Sequence, residues 1–184
     1  MVSDRLRVFP DAHASYEDFQ LPKFLESWDQ VVHLDTDLVI AKDTPWLLDQ
    51  SNGVMCAVDE SYFEDRTRLL DTYAIAKNLP RVNQSRYFNL GVFGLTKDDC
   101  SLWKDPNFWN EDNMGHQTPI NYRIAFQHHK IRDLGPDFNS MVFSWSRYDL
   151  ATSYIRHFAG MRELPWVLEE TLKTIAVLKQ HGRA

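Results

Sequence analysis

Two aspartates at the end of an apolar segment carry the clearest chemical signal in this sequence. Asp35 and Asp37 directly follow the segment VVHL at positions 31–34. In an extended chain the side chains of residues i and i+2 point to the same side, so both carboxylates can converge on one cation. Hard oxygen ligands suit Mg²⁺ or Mn²⁺, ions that typically bridge carboxylates to substrate phosphates. The pair therefore predicts a divalent-cation site at the end of a strand.

The surroundings of the pair make this prediction more specific than the motif alone. A chain with this many aspartates contains about two D-x-D pairs by chance. Here, however, apolar segments flank the pair on both sides, VVHL before it and LVI at 38–40 after it. Charges inside so apolar a segment are costly unless they are paired or bound to metal. The alternative is that both carboxylates lie at a solvent-facing strand end and cap a neighbouring helix.

Hydrophobic patterning predicts the elements that must position the pair. Short apolar, β-branched segments predict strands over 31–34, 54–58 and 87–95, and 3.6-residue periodicity predicts helices over 62–78, 116–127 and 166–180. A further helix face precedes the aspartates, formed by Leu21, Phe24, Leu25 and Trp28. The last helix places Leu168, Leu172, Ile175 and Leu178 on one side. Strands alternate with helices, which indicates an α/β fold.

Composition excludes several classes of protein. The chain has 184 residues and a formal charge of −6, which argues against nucleic-acid binding because such proteins carry a basic face. Cys56 and Cys100 form neither a disulfide framework nor a zinc motif, which favours a reducing compartment. No signal peptide or transmembrane segment is evident. We therefore expect a single soluble domain over residues 1–184, with a provisional assignment to the cytoplasm.

Four segments, in order, resemble the motifs of GT-A fold glycosyltransferases, most closely glycosyltransferase family 8. They are a lead-in helix with a strand ending in D-x-D at 16–39, YFNLGV at 87–92, HQ and a following Asn at 116–121, and HFAG with a following PW at 157–166. The family patterns are F-N-x-G-V, D-Q-…-N and H-x-x-G-x-x-K-P-W for the last three. The resemblance implies a GT-A-like mixed sheet flanked by helices.

The resemblance also implies a site and an activity. Asp35, Asp37 and His157 match the family's metal ligands, usually for Mn²⁺, although Mg²⁺ also suits the carboxylates. Asn89 and Gln117 match catalytic positions that contact the donor sugar or acceptor. The diphosphate of a nucleotide sugar, commonly UDP-linked, is expected near a group of cofactor-binding residues: Asp35, Gly91, Gly160 and Arg162. The implied reaction moves a sugar from this donor to a carbohydrate or glycoconjugate acceptor.

The sequence departs from the family pattern at several positions. Asp18 stands where the family has a basic residue, and His116 replaces the acid before Gln117. The lysine of K-P-W has no clean equivalent, so Arg162 is the nearest candidate for the phosphate contact, with Glu163 beside it. Only 34 residues precede Asp35, whereas the family has a nucleotide-binding half there. We therefore expect an N-terminally incomplete domain, which is a fragment, borrows that half from a partner chain, or is a degenerate relative.

Two other functions fit parts of the sequence. In haloacid dehalogenase-like phosphatases an apolar strand also ends in D-x-D, and the adjacent residues Lys97, Asp98 and Asp99 would then have to supply the later lysine and paired acids. A non-catalytic module that binds a sugar nucleotide on the same scaffold is favoured by the missing half and by the changes at Asp18 and His116.

Overall fold

Seven strands form two mixed sheets in the computed structural model, which describes residues 14–104, 109, 114–141, 151–160 and 164–184. The strands are β1 Gln30–Leu34, β2 Leu38–Ile40, β3 Met55–Asp59, β4 Phe88–Thr96, β5 Ile131–Asp133, β6 Ser140–Met141 and β7 Ile155–His157. The large sheet has the order β1-β4-β3-β5, and the small sheet has the order β2-β7-β6. β4 pairs antiparallel with β1 and β3, and β5 runs parallel to β3. β7 runs antiparallel to β2 and parallel to β6.

The α-helices are α1 Leu21–Phe24, α2 Leu47–Ser51, α3 Arg68–Ala76, α4 Gln117–Phe126 and α5 Leu164–Gln180. The structure confirms five predicted elements to within two residues at each end: the strands at 31–34, 54–58 and 87–95 and the helices at 116–127 and 166–180. The predicted mixed α/β class is also confirmed. β2, β5, β6 and β7 were not predicted, because two or three residues are too few to show a period.

The lead-in helix is shorter than its sequence predicts. A 3₁₀ helix at Ala14–Gln20 leads into the single turn of α1, which ends in a turn after Phe24. Of the four residues expected on one buried face, Leu25 is 2% exposed, but Phe24 and Trp28 are 56% and 65% exposed. Pro22, the second residue of α1, has no N–H to donate to the preceding 3₁₀ turn, so the two segments do not form one continuous helix. The predicted buried face is therefore wrong at Phe24 and Trp28.

Two other helix predictions need correction. The helix expected over 62–78 is confined to α3, because Asp65 accepts hydrogen bonds from the N–H and hydroxyl of Thr67 and forms a turn before it. In α5, Leu168 and Leu172 are exposed, whereas Thr174 and Leu178 are buried. The 3.6-residue period identifies an apolar stripe, but it does not say which neighbour covers the stripe.

Two clusters of buried residues fix the large sheet from its two sides. One packs β3 and β4 against α4 and the segment that contains the first 3₁₀ helix and α1, and its members include Tyr16, Phe93, Trp103 and Ile120. The other lies between the large and small sheets and includes Val92, Phe138 and Ile155. The two sheets therefore share an apolar interior, and their strand ends meet at one place. Among the described residues, no helix combines the length and apolar character needed to cross a bilayer.

Candidate functional site

The candidate site lies where the large and small sheets meet. The N–H of Asp35, one residue beyond β1, donates to the carbonyl of Gly91 on β4 at 2.8 Å. The N–H of Phe158, one residue beyond β7, donates to the carbonyl of Asp37 at 3.0 Å. The D-x-D turn is therefore fixed to one sheet at its first residue and to the other sheet at its last. This arrangement brings His157, the last residue of β7, beside both carboxylates.

Asp35, Asp37 and His157 form one cluster. His157 Nε2 lies 3.3 Å from Asp35 Oδ2 and 3.2 Å from Asp37 Oδ1. A candidate ligand atom from each of the three residues lies within 4.8 Å of the other two. The imidazole is buried, whereas each carboxylate is about 40% exposed, which leaves the oxygens open to the cavity. Two carboxylates and one imidazole form a donor set that suits Mn²⁺ and also accommodates Mg²⁺.

The charges within this cluster are strongly coupled. Burial opposes the charged form of His157, but hydrogen bonds to Asp35 and Asp37 outweigh it and raise the pKa of the imidazole to about 9. Burial would raise the pKa of Asp35, but hydrogen bonds from His157 and His33 hold that pKa well below its ordinary value. Both shifts favour a positive partner for the carboxylates at neutral pH. A protonated His157 or a bound cation can supply that positive charge.

A glycine allows the cluster to approach β4 closely. A Cβ atom on Gly91 would overlap Cε1 of His157 and would lie 2.8 Å from Asp35 Oδ2. Gly91 also belongs to a stretch of three residues on β4, Leu90 to Val92, that have no partner on β3, because the β3–β4 register shifts between Ala57 and Val58. Irregularities of this kind are frequent next to active sites. The close approach at this glycine is made by His157 and Asp35, and a contact between Gly91 and the donor stays a prediction.

Two amide side chains line the site from β4 and α4. Asn89 Oδ1 accepts from the N–H of Gly91 at 2.9 Å, and Gln117 Oε1 accepts from the N–H of Leu90 at 2.9 Å. Gln117 Nε2 donates to Glu60 Oε2 at 2.8 Å, and Asn89 Nδ2 lies 3.4 Å from the same oxygen. Both amides are therefore oriented by protein groups, while Gln117 Oε1 keeps a second lone pair for a hydroxyl group.

Glu60 anchors this pair of amides. Its side chain is 1% exposed and pairs with Arg66, whose Nε lies 3.2 Å from Glu60 Oε1. Burial raises the pKa of Glu60, and the charge of Arg66 opposes the change. A buried carboxylate with a cationic partner and two amide donors is well compensated.

The two departures from the family pattern, Asp18 and His116, contact each other. Asp18 Oδ2 lies 3.3 Å from His116 Nε2, and Asp18 Oδ1 lies 3.3 Å from His33 Nδ1. His33 Nε2 in turn lies 3.0 Å from Asp35 Oδ1. Burial raises the pKa of Asp18 to about 6, with His33 opposing the rise. The two residues that depart from the family pattern therefore contact each other within the site.

One cavity of about 360 Å³ gathers the predicted site residues. It is lined by Asp35, Asp37, Asn89, Gly91, Gln117, His157 and Gly160, together with Ser15, Leu90, Met114, His116 and Ala159. Gly160 has a φ of +77°, a conformation that a residue with a Cβ adopts only under strain. Arg162, the predicted phosphate contact, lies outside the described residues. All the other predicted site residues therefore face a common space.

The residues required by the phosphatase alternative are not brought to Asp35. Lys97, Asp98 and Asp99 follow the C-terminal end of β4, which pairs with the start of β1 at Gln30. Asp35 follows the other end of β1, so the length of that strand, about 17 Å, separates it from these three residues. Asp99 accepts from the N–H and hydroxyl of Thr96 in a capping box and contacts His129. Lys97 pairs with Asp29 at 2.9 Å. These contacts give Lys97 and Asp99 local structural roles.

Sequence reasoning missed two residues of this site. Asp59 is the last residue of β3 and Glu60 follows it directly. This acidic pair at the end of an apolar strand could have indicated Glu60 as a site residue. Asn139 accepts from or donates to two site residues, through His157 Nδ1 at 2.8 Å and Asn89 Oδ1 at 2.6 Å. Asn139 has no comparable signal, because it lies in an irregular turn between a 3₁₀ helix and the two-residue strand β6.

Comparisons with known proteins find structural neighbours. No family model matches the chain, and no curated protein matches it. The apo structure of WbbM, described as a bifunctional glycosyltransferase, aligns with a TM-score of 0.60 and 17% identity over 90% of this chain and 36% of its own. The apo form of mouse xyloside xylosyltransferase 1 aligns with a TM-score of 0.52 and 14% identity over 79% of this chain and 64% of its own.

These similarities establish the fold. At 17% and 14% identity they show that the chain has the fold of these glycosyltransferases, in agreement with the predicted GT-A-like architecture. The chain spans about a third of one neighbour and less than two thirds of the other. The expectation of an absent N-terminal half and the provisional cytoplasmic location stay predictions.

Proposed function

We propose that this chain is a metal-dependent glycosyltransferase domain, similar to family 8, which takes its sugar from a nucleotide-diphosphate donor, commonly UDP-linked. The observation that carries the proposal is the convergence of Asp35, Asp37 and His157 on one wall of a cavity, in a chain with a glycosyltransferase fold. The acceptor is a carbohydrate or glycoconjugate.

The residues present fit a divalent cation. The two half-exposed carboxylates and the buried imidazole offer two hard oxygens and one nitrogen, and Gly91 leaves the space that these groups occupy. When bound, Mn²⁺ or Mg²⁺ would neutralise the diphosphate leaving group. Asp35, Asp37 and His157 would hold it, and His33 would keep Asp35 oriented through its other carboxylate oxygen.

The remaining cavity residues suit the handling of a sugar diphosphate. Gly160 would allow the diphosphate to approach the backbone closely, and Arg162 is the proposed phosphate contact. Gln117 would direct its second lone pair to a hydroxyl of the donor sugar or acceptor. The polar atoms of Asn89 are held by protein partners, so its geometry favours a role in positioning, and its contact with the sugar stays a prediction.

The metal site can be tested by replacing one carboxylate. Asp37→Ala removes one hard ligand and one of the two partners of His157, so we expect Mn²⁺-dependent binding of UDP to fall below detection in titration calorimetry. The fold should persist in far-UV circular dichroism, because the side chain of Asp37 is about 40% exposed. Asp71→Ala, which removes an exposed carboxylate of α3 outside the cavity lining, is the matched control.

The outcomes separate the proposal from its alternatives. Unchanged Mn²⁺-dependent UDP binding in Asp37→Ala would overturn the assignment of the metal site. Binding of Mn²⁺ and UDP with neither transfer nor hydrolysis of a UDP-sugar would favour the non-catalytic module, for which the departures from the family pattern at Asp18 and His116 are the supporting observation. Turnover of a simple phosphomonoester in Mg²⁺ would favour the phosphatase.

A further inference from the structure

A chain of three hydrogen bonds connects the backbone of β4 to the imidazole of His157. The N–H of Gly91 donates to Asn89 Oδ1 at 2.9 Å, Asn139 Nδ2 donates to the same oxygen at 2.6 Å, and Asn139 Oδ1 lies 2.8 Å from His157 Nδ1. Asn139 is 0% exposed, Asn89 6% and His157 3%. Water therefore has little access to these bonds, and each polar atom depends on its partner within the protein.

The direction of every bond in this chain follows from its first member. A backbone N–H is always a donor, so the Asn89 atom that faces Gly91 must be the carbonyl oxygen. The Asn139 atom that faces this oxygen must be the amide nitrogen, because two oxygens would repel each other. The other Asn139 atom is then the oxygen, and it faces His157 Nδ1. A carbonyl oxygen can only accept, so Nδ1 must carry a proton.

The remaining contacts of Asn89 support the same orientation. Its nitrogen lies 3.4 Å from Glu60 Oε2 and 3.4 Å from Met141 Sδ, and both atoms are acceptors. Gln117 Nε2 donates to the same Glu60 oxygen. Reversing the Asn89 amide would therefore place an oxygen against a carboxylate on one side and a nitrogen against an N–H on the other.

We infer that Asn89 and Asn139 are positioning residues that fix His157 in the Nδ1–H form, so that Nε2 is the nitrogen that binds a divalent cation. The inference rests on the proposed function, in which His157 is a metal ligand. Nε2 is the atom that faces both carboxylates, at 3.3 Å from Asp35 and 3.2 Å from Asp37. A partner that fixes the far nitrogen of a metal-binding histidine orients the ring and strengthens its binding.

The first experiment reads the ring nitrogen directly in the unaltered protein. With ¹⁵N-labelled histidine and ¹¹³Cd²⁺ as the added metal, we expect a one-bond cadmium coupling on Nε2 of His157 and a proton on Nδ1. A coupling on Nδ1 would overturn the inference. If Cd²⁺ and Mn²⁺ both fail to bind, the proposed metal site fails, and the tautomer is read in the metal-free protein at a pH where the ring is neutral. Protonation at Nε2 there would overturn the inference separately.

The second experiment changes Asn139 in two ways. Asn139→Leu removes the acceptor for Nδ1, and we expect Mn²⁺ affinity measured by calorimetry to fall about 10- to 100-fold. Asn139→Asp keeps an acceptor for Nδ1 but sets its other oxygen against Asn89 Oδ1, so we expect a smaller loss of Mn²⁺ affinity than in Asn139→Leu, with Nδ1 still protonated. Unchanged affinity in Asn139→Leu, or an equal loss in both variants, would contradict a positioning role through the acceptor.

A matched control separates this role from simple packing. Asn121→Leu applies the same substitution to another buried amide. The hydrogen bonds of Asn121 go to the Phe88 backbone and the Gln117 carbonyl, and none of them goes to His157. We expect it to reduce stability and to leave both the Mn²⁺ affinity and the tautomer unchanged. An equal loss of Mn²⁺ affinity in the control would show that Asn139→Leu acts only by loosening the fold.

Discussion

Gly91 sets how closely His157 and Asp35 can approach β4. Its α-carbon occupies the position from which a methyl group would overlap the imidazole and press on the Asp35 carboxylate. A side chain at position 91 would therefore push on the His157 ring and the Asp35 carboxylate. A buried ring in a packed interior has little room to shift.

We therefore expect Gly91→Ala to weaken Mn²⁺ binding about 10-fold or more and to reduce stability by about 1–3 kcal/mol through overpacking. Calorimetry with Mn²⁺ and urea unfolding measure the two effects. Gly94→Ala is the control on the same strand, because its Cβ would lie 2.8 Å from Cys56 Sγ, away from the cavity. Gly94→Ala should lower stability and preserve Mn²⁺ affinity; equal metal binding in both variants would contradict the role given to Gly91.

At the residue scale, the sequence motifs predicted the three members of the cluster, Asp35, Asp37 and His157, better than they predicted the residues that contact the cluster. Asp35 and Asp37 could be inferred from i, i+2 geometry, and His157 from the resemblance alone. The contact between Asp18 and His116 could not be foreseen, since they lie 98 positions apart in the sequence and neither lies in a charge pattern. Asn139 carries no signal of any kind in its sequence context, because its role depends on where β7 and β4 meet.

At the scale of elements, one side chain joins α4 to β4. Asn121 Oδ1 accepts from the N–H of Phe88 at 2.7 Å, and its nitrogen donates to the carbonyls of Phe88 at 2.8 Å and Gln117 at 2.9 Å. The side chain is 1% exposed. It thereby continues the backbone pairing of β4 across to the helix that carries Gln117.

Removing this connection should cost stability. We expect Asn121→Ala to lower the free energy of unfolding by about 2–4 kcal/mol, because it removes the buried side-chain partner of both the N–H and the carbonyl of Phe88. Urea unfolding followed by tryptophan fluorescence measures the change. Thr72→Ala on α3, an exposed helical position, should change stability by about 0.5 kcal/mol or less. A loss for Asn121→Ala as small as that of the control would show that α4 is held by packing alone.

The sequence pattern predicted the long helices and strands, and it missed the short strands that exist only through hydrogen bonds to neighbouring strands. β4 and α4 carry nine and ten residues of consistent pattern, and both were predicted with nearly the right bounds. β6 and β7 have two and three residues, and they are strands only because β2 and one another provide the hydrogen bonds. α5 shows the opposite error, since its apolar stripe is real but Leu168 and Leu172 face away from the described core.

At the scale of the whole molecule, the cluster couples global stability to pH. His157 has a pKa of about 9 in the folded protein against 6.5 ordinarily, so the folded state holds its proton more tightly than the unfolded state does. This contribution is fully present below pH 6.5 and is lost as the pH rises through about 9. His33, whose pKa is also raised because Asp35 and Asp18 outweigh its burial, acts in the same direction.

We expect the metal-free protein to lose on the order of 2 kcal/mol of stability between pH 6.5 and pH 9.5 from His157 alone. Urea unfolding in the presence of a chelator measures this loss. His157→Gln should flatten the profile over this range without removing the part that His33 contributes, while His181→Gln, at an exposed position of the C-terminal segment, should follow the unaltered protein. A profile of equal slope in His157→Gln would contradict the coupling.

The irregular stretch of β4 has a consequence for hydrogen exchange. Because Leu90 and Gly91 have no partners on β3, their amide hydrogens are held by the side chains of Gln117 and Asn89. The protection of these two amides against exchange with deuterium therefore depends on the side chains of the site, whereas that of Phe93 and Leu95 depends on the sheet. Slow exchange at Leu90 and Gly91 would then report that the site is assembled, and its selective loss would report local opening beneath an intact core.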